Sequence, residues 1–188
     1  MERVWIIGCS GSGKSTLAAA VAERLGLRHH ELDGIFHQPG WTQMPDDEFL
    51  NRVTAITVGD RWILDGNYFV RTGGAPVGRV QTVVWLDLPR LATLRRVTQR
   101  TLRRVVQRQE LWNGNREPLS NLYRFNSPDN LIRWSWSQHP VYRERYSQAL
   151  ASGAFGDADV VRLTSQAEVD RWLRSLTPAG MNATDETQ

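Results

Sequence analysis

Gly8-Cys9-Ser10-Gly11-Ser12-Gly13-Lys14-Ser15-Thr16 decides the reading of this chain. The stretch fits G-x-x-x-x-G-K-[ST], and its surroundings meet the condition that pattern carries. An apolar run, Val4-Trp5-Ile6-Ile7, precedes it, and residues 14–25 follow with Leu17, Val21 and Leu25 on one helical face before Gly26. Small residues let backbone N–H groups turn toward a bound phosphate, and the helix start adds partial positive charge. Lys14 reaches the β- and γ-phosphates, and the Ser15 hydroxyl suits Mg²⁺. Gly8, Ser10, Gly11, Ser12, Gly13, Lys14, Ser15 and Thr16 are therefore the expected nucleotide-binding residues. The motif names a nucleoside triphosphate without naming a reaction.

Outward from the loop, further strands and helices alternate. Leu27–Leu32 reads as a strand closed by Asp33-Gly34. Residues 45–58 read as a helix opened by Pro45 and the acids Asp46, Asp47 and Glu48. Trp62-Ile63-Leu64 and Val80–Leu86 are strands, and a basic helix runs from Arg90 to about Gln109. The stretch from Trp112 to Asn130, with Gly114, Pro118, Pro128 and five asparagines, is loop-rich. A helix over 140–151, a strand at Val160–Leu163 and a helix over 166–176 follow, and a polar tail runs from Thr177 to residue 188. Short, unalternating apolar strands separated by helices predict an α/β fold, a parallel sheet covered on both faces.

Acids at strand ends are the next candidates, because ligands gather beyond the carboxyl ends of a parallel sheet. Asp65, followed by Gly66, is the expected Mg²⁺ partner of Ser15. Asp87, before Leu88-Pro89, reads as a turn or helix-entry residue. Asp33 allows two readings: a carboxylate that orients an acceptor and takes its proton, or a turn aspartate before glycine. His29-His30 and His139-Pro140 have no metal-ligand spacing, and Cys9 reads as a small filler of the loop.

The composition is consistent with this picture. Among 188 residues, 23 are basic and 20 acidic, and of the basic residues all but Lys14 are arginine. Residues 90–145 hold twelve arginines and four acids, so the remaining chain is mildly acidic. A single cysteine permits no disulfide framework. Val4–Ile7 is too short for a signal segment, and no apolar run approaches a membrane span, so a cytoplasmic protein without a membrane partner is expected.

The segments Gly8–Thr16, Leu32-Asp33-Gly34-Ile35-Phe36 with Pro39-Gly40-Trp41, Leu64-Asp65-Gly66-Asn67-Tyr68 with Arg71, and Val84–Pro89 together resemble the nucleoside-monophosphate-kinase-like branch of P-loop kinases. Within it the chain is similar to the bacterial topology-modulation (FlaR-like), adenylate-kinase-like proteins. The resemblance covers roughly residues 3–176. It implies a three-layer P-loop NTPase fold, with a five-stranded parallel sheet, helices on both faces and a helical arginine-rich lid over about 100–140. Residues 1–176 would form the kinase domain.

The resemblance also implies roles. ATP and Mg²⁺ are the expected cofactors, with Asp65 helping to hold the metal. Arg71 would meet an acceptor phosphate, and Arg100, Arg143 and Arg145 would clamp the transferring group. Asn67-Tyr68 departs from the Phe-Pro of adenylate kinases, and Asp33-Gly34-Ile35-Phe36-His37 resembles gluconate and shikimate kinases, whose acceptors are hydroxyls. Asp33, Phe36, Trp41, Asn67 and Arg71 are the candidate acceptor-binding residues, and Lys14 and Asp33 join the three clamping arginines as candidate catalytic groups.

A nucleotide or nucleoside acceptor leads this reading, and a sugar-acid or similar hydroxyl metabolite is the alternative. A phosphate acceptor needs cationic clamps, whereas a hydroxyl benefits from a carboxylate; this chain offers both. Arginines interleaved with Trp112, Tyr123, Trp134 and Trp136 allow a third reading, a nucleotide-dependent DNA-binding regulator. Burial of those aromatics under a lid is the preferred reading. Monomer and homodimer both remain open.

Overall fold

In a computed structural model, which describes residues 1–72, 74–124, 127 and 130–178, the strands are β1 (Arg3–Gly8), β2 (His29–Glu31), β3 (Trp62–Asp65), β4 (Thr82–Leu86) and β5 (Asp159–Leu163). All pairings are parallel, in the order β2-β3-β1-β4-β5. The helices are α1 (Lys14–Leu25), α2 (Leu32–Phe36), α3 (Asp46–Thr57), α4 (Arg90–Val106), α5 (Leu131–Ala151) and α6 (Gln166–Ser175).

The unalternating strands behave as buried strands should. Val4 and Ile6 of β1 face Leu17, Ala18 and Val21 of α1 and Val169 of α6. Trp5 and Ile7 face Phe49 and Val53 of α3 and Tyr146 of α5. Each such fully buried side chain contributes about 1.5–3 kcal/mol, and both faces of the sheet need a helical layer to supply it. The three layers leave the carboxyl ends of β1, β2, β3 and β4 together, and the functional loops leave from there.

Three sequence expectations are corrected. Asp33 lies in neither a strand end nor a simple turn, because β2 stops at Glu31 and α2 starts at Leu32. The helix expected over 140–151 begins at Leu131, where the Asn130 side chain accepts the Arg133 N–H as an N-cap. Pro140 therefore sits inside α5, without the N–H that would close on the Trp136 carbonyl. Arg90 fills the gap: its Nη2 and Nε donate to Trp136 O at 2.8 and 3.2 Å. The stretch from Trp112 to Asn130 is more ordered than expected, with 3-10 turns at Trp112–Gly114 and Leu119–Leu122. Phe125, Asn126, Pro128 and Asp129 within it, and the tail beyond Pro178, lie outside the described residues.

Candidate active site

The phosphate loop leaves β1 and enters α1 under pressure from α4. A Cβ on Gly11, whose φ is +79°, would stand 2.4 Å from the Thr93 carbonyl oxygen and 2.5 Å from Val97 Cγ2, so only glycine fits. The loop is further pinned from β3 and α5: Asn67 Oδ1 accepts the Gly8 N–H at 3.1 Å and the Tyr146 hydroxyl at 2.9 Å. Lys14 Nζ donates to the carbonyls of Gly8 and Cys9 at 2.8 and 3.2 Å. Burial lowers the Lys14 pKa, and the carboxylates of Asp33 and then Asp65 oppose that shift. Ser12 Oγ is buried without a hydrogen-bond partner among the described residues, and Ser15 and Thr16 are exposed at the start of α1. A cradle of small residues with a buried hydroxyl and an enclosed ammonium fits a polyphosphate.

Asp33 sits in the first turn of α2, with Tyr68 donating its hydroxyl to Oδ1 at 2.7 Å. Among the described residues Oδ2 accepts no hydrogen bond. Burial, with Asp33 beside it, drives the Tyr68 hydroxyl far above its ordinary pKa, so it stays a donor and fixes the carboxylate.

Arg71 lies over the Phe36 ring at 4.8 Å and is ion-paired with Asp46. Phe36, a candidate acceptor residue whose default reading is core packing, is 4% exposed between Phe49 and Tyr68 in the core. It is short of free surface because α2 turns it inward. Asn67, expected at the acceptor, spends its side-chain carbonyl on the loop.

Asp65 ends β3 directly opposite Glu31 of β2. Its side chain is 3% exposed, and His29 Nε2 lies 3.1 Å from Oδ2. Asp87, at the end of β4, is also enclosed, but it is occupied by Arg162 at 2.5 Å and Arg143 at 3.3 Å. These donors make Asp87 a structural anion between β4, β5 and α5.

The arginines divide. Arg100 Nη2 donates to Ser10 Oγ at 3.2 Å and Arg96 Nη1 to Ser12 O at 3.4 Å, so both stand at the loop. Burial, then Arg104, depresses the Arg100 pKa, while Glu117 and Asp33 oppose them. Arg104 forms an enclosed pair with Glu117 at 2.9 Å. Arg143 is drawn to Asp87, and Arg145 lies over the Tyr142 ring at 5.3 Å. Among the described residues, neither Arg143 nor Arg145 bonds to the phosphate loop.

Residues 112–116, between α4 and α5, close down on residues 31–41. Trp112 Nε1 donates to Glu31 Oε2 at 2.5 Å, and Asn113 Nδ2 to the carbonyls of His37 and Gly34 at 2.6 and 3.1 Å. Asn115 Oδ1 accepts the Trp41 N–H at 2.9 Å, its Nδ2 donates to Gln38 O at 2.9 Å, and Trp41 Nε1 donates to Arg116 O at 3.1 Å. Trp41 thus belongs to this strap. Gly34 is the landing place, since a Cβ there would lie 2.7 Å from Trp112 Cδ1. Sequence reasoning missed Glu31, Tyr68 and the strap asparagines. The Glu31-Leu32-Asp33 spacing was the available signal for Glu31; the other partners are far apart in the chain.

The shikimate kinase of Acinetobacter baumannii, solved in complex with shikimate, superposes with a TM-score of 0.52 over 93% of this chain and 89% of that one, at 18% identity. The shikimate kinase of Aquifex aeolicus gives a TM-score of 0.51 over 92% and 94%, at 14% identity. The chain has the P-loop kinase fold. Among curated proteins, the shikimate kinase of Persephonella marina is 28% identical over 103 residues, covering 47% of this chain and 63% of that enzyme. The match thus spans less than two thirds of the relative's length. No family model matches the chain. Arg96 and Arg100 of α4 and Ser135 of α5 contact the phosphate loop, and the strap packs on residues 31–41. Among the described residues, no helix is long and apolar enough to cross a membrane.

Proposed function

We propose that this chain is an ATP- and Mg²⁺-dependent small-molecule kinase whose acceptor is a hydroxyl. The observation that carries the reading is Asp33, whose Oδ1 accepts the Tyr68 hydroxyl at 2.7 Å while Oδ2 accepts no hydrogen bond among the described residues. The cation that would meet an acceptor phosphate, Arg71, is tied to Asp46. That balance favours a hydroxyl over the nucleoside monophosphate that led the sequence reading. The similarity to shikimate kinases supports the same choice.

In this proposal residues 8–15 cradle the phosphates through backbone N–H groups, and Lys14 exchanges its carbonyl partners for phosphate oxygens. Arg100 and Arg96 stabilise charge on the transferring group. Asp33 orients the acceptor and receives the hydroxyl proton at Oδ2 as the oxygen attacks. Ser15 and Asp65 would supply hard oxygen donors for Mg²⁺, which when bound would neutralise phosphate charge. Residues 107–124 act as the lid, excluding water with Trp41 and Trp112 at its seam.

The paired variants Asp33→Asn and Arg71→Ala test this. Asp33→Asn lowers turnover by about 10²–10⁴. Arg71→Ala changes it far less. The reverse ranking, with Arg71→Ala abolishing acceptor binding, assigns a phosphate acceptor and overturns the proposal.

A further inference from the structure

The sequence shows no metal-ligand spacing around His29-His30, but spacing along one strand cannot register a partner on the next. We propose that His29, Glu31 and Asp65 form a binding site for a transition-metal dication, one that fills without nucleotide and prefers Mn²⁺, Co²⁺ or Zn²⁺ to Mg²⁺.

His29 and Glu31 stand two apart on β2 and share a face, and Asp65 is the register partner of Glu31 on β3. One donor atom from each lies within 4.8 Å of the other two. Asp65 is 3% exposed, and His29 is its single hydrogen-bond partner among the described residues. A carboxylate so enclosed calls for a cation. Lys14 donates to the Gly8 and Cys9 carbonyls. Glu31 has Oε2 held by Trp112, which fixes the side chain and leaves Oε1 for a metal.

The donor set is one imidazole nitrogen and two carboxylates. Mg²⁺ takes oxygen ligands and keeps its waters, so a nitrogen donor gives it little. The later divalent ions gain from imidazole, and that preference defines the site. A metal takes the Nε2 lone pair of the neutral imidazole, whose ring proton then sits on Nδ1. Asp65 also belongs to the Mg²⁺ position of the proposed reaction, but the three ligands are gathered by the β2–β3 register alone.

Mn²⁺ titrated into the nucleotide-free, full-length chain and followed by electron paramagnetic resonance tests the inference. One ion binds per chain, a tenfold excess of Mg²⁺ leaves it in place, and pulsed spectra of the wild type show coupling to a directly bound nitrogen. His29→Gln removes that coupling, and His29→Gln and Glu31→Gln each weaken binding roughly tenfold or more. Glu144→Gln, on exposed α5, leaves binding unchanged. Failure to bind Mn²⁺, displacement by Mg²⁺, absence of nitrogen coupling in the wild type, or unchanged affinity in His29→Gln overturns it. The wild-type spectrum decides if a variant misfolds. Nitrogen-coupled Mn²⁺ in a chain that transfers no phosphoryl group would keep this site and remove the kinase reading.

Discussion

Cys9 and Lys14 show how the same enclosure acts on two neighbouring groups. Burial raises the Cys9 thiol pKa above its ordinary value, and the adjacent Lys14 ammonium only partly opposes it. Less thiolate is then present at a given pH, and access is restricted as well. At pH 8 Cys9 should react with a disulfide reagent at least about tenfold more slowly than glutathione; an equal rate would contradict this burial. The loop residues were legible in the sequence because the motif is local and its chemistry depends on backbone N–H groups. Tyr68 and Glu31 were not, because their importance comes from partners at Asp33 and Trp112, separated by many residues. The partners of Asn67, the Gly8 N–H and the Tyr146 hydroxyl, were likewise hidden, because they lie 59 and 79 residues away.

Among the elements, α5 is the instructive case. Pro140 interrupts the expected hydrogen-bond ladder, so a sequence reading starts the helix there, although Asn130 carries the N-cap. The Arg90 guanidinium takes the role of the missing N–H and lies 3.5 Å over the Trp136 ring. Arg90→Ala should destabilise the protein by about 1 kcal/mol, reduced from the buried case because the pair is partly exposed. In a Pro140→Ala background the restored N–H closes on Trp136, so the same substitution should cost about half as much or less. Chemical denaturation of the double-mutant cycle measures this, and strict additivity would remove the account. The strap makes a second prediction at this scale. Asn113→Ala with Asn115→Ala should raise the acceptor KM about tenfold while the ATP KM moves much less, because residues 31–41 carry Asp33. Steady-state kinetics showing equal effects on both substrates would deny the strap that role.

For the whole molecule, the parallel α/β class was legible because β1, β3 and β4 are apolar on both faces, which only a sandwiched sheet requires. The basic segment takes on a different meaning once its partners are known. Arg90, Arg96, Arg100, Arg104 and Arg143 are engaged by Trp136, Ser12, Ser10, Glu117 and Asp87. Global stability should also respond to pH through His30 and His37, whose pKa values burial lowers. The unfolded chain then takes up protons first, so stability present above about pH 6.5 is lost as pH falls toward the folded-state values. The thermal midpoint should drop between pH 7 and 5.5, and His30→Gln with His37→Gln should flatten that slope; an unchanged slope would assign it to other groups. The central claim is phosphoryl transfer to a hydroxyl. Its most direct measurement is ADP release from Mg-ATP across nucleoside monophosphates, nucleosides and sugar acids, with the product bond identified by phosphorus NMR. The account predicts a phosphate ester on a carbon-bound oxygen, lost in Asp33→Asn. A phosphoanhydride product, or no transfer to any acceptor alongside tight, salt-dependent DNA binding, would contradict it.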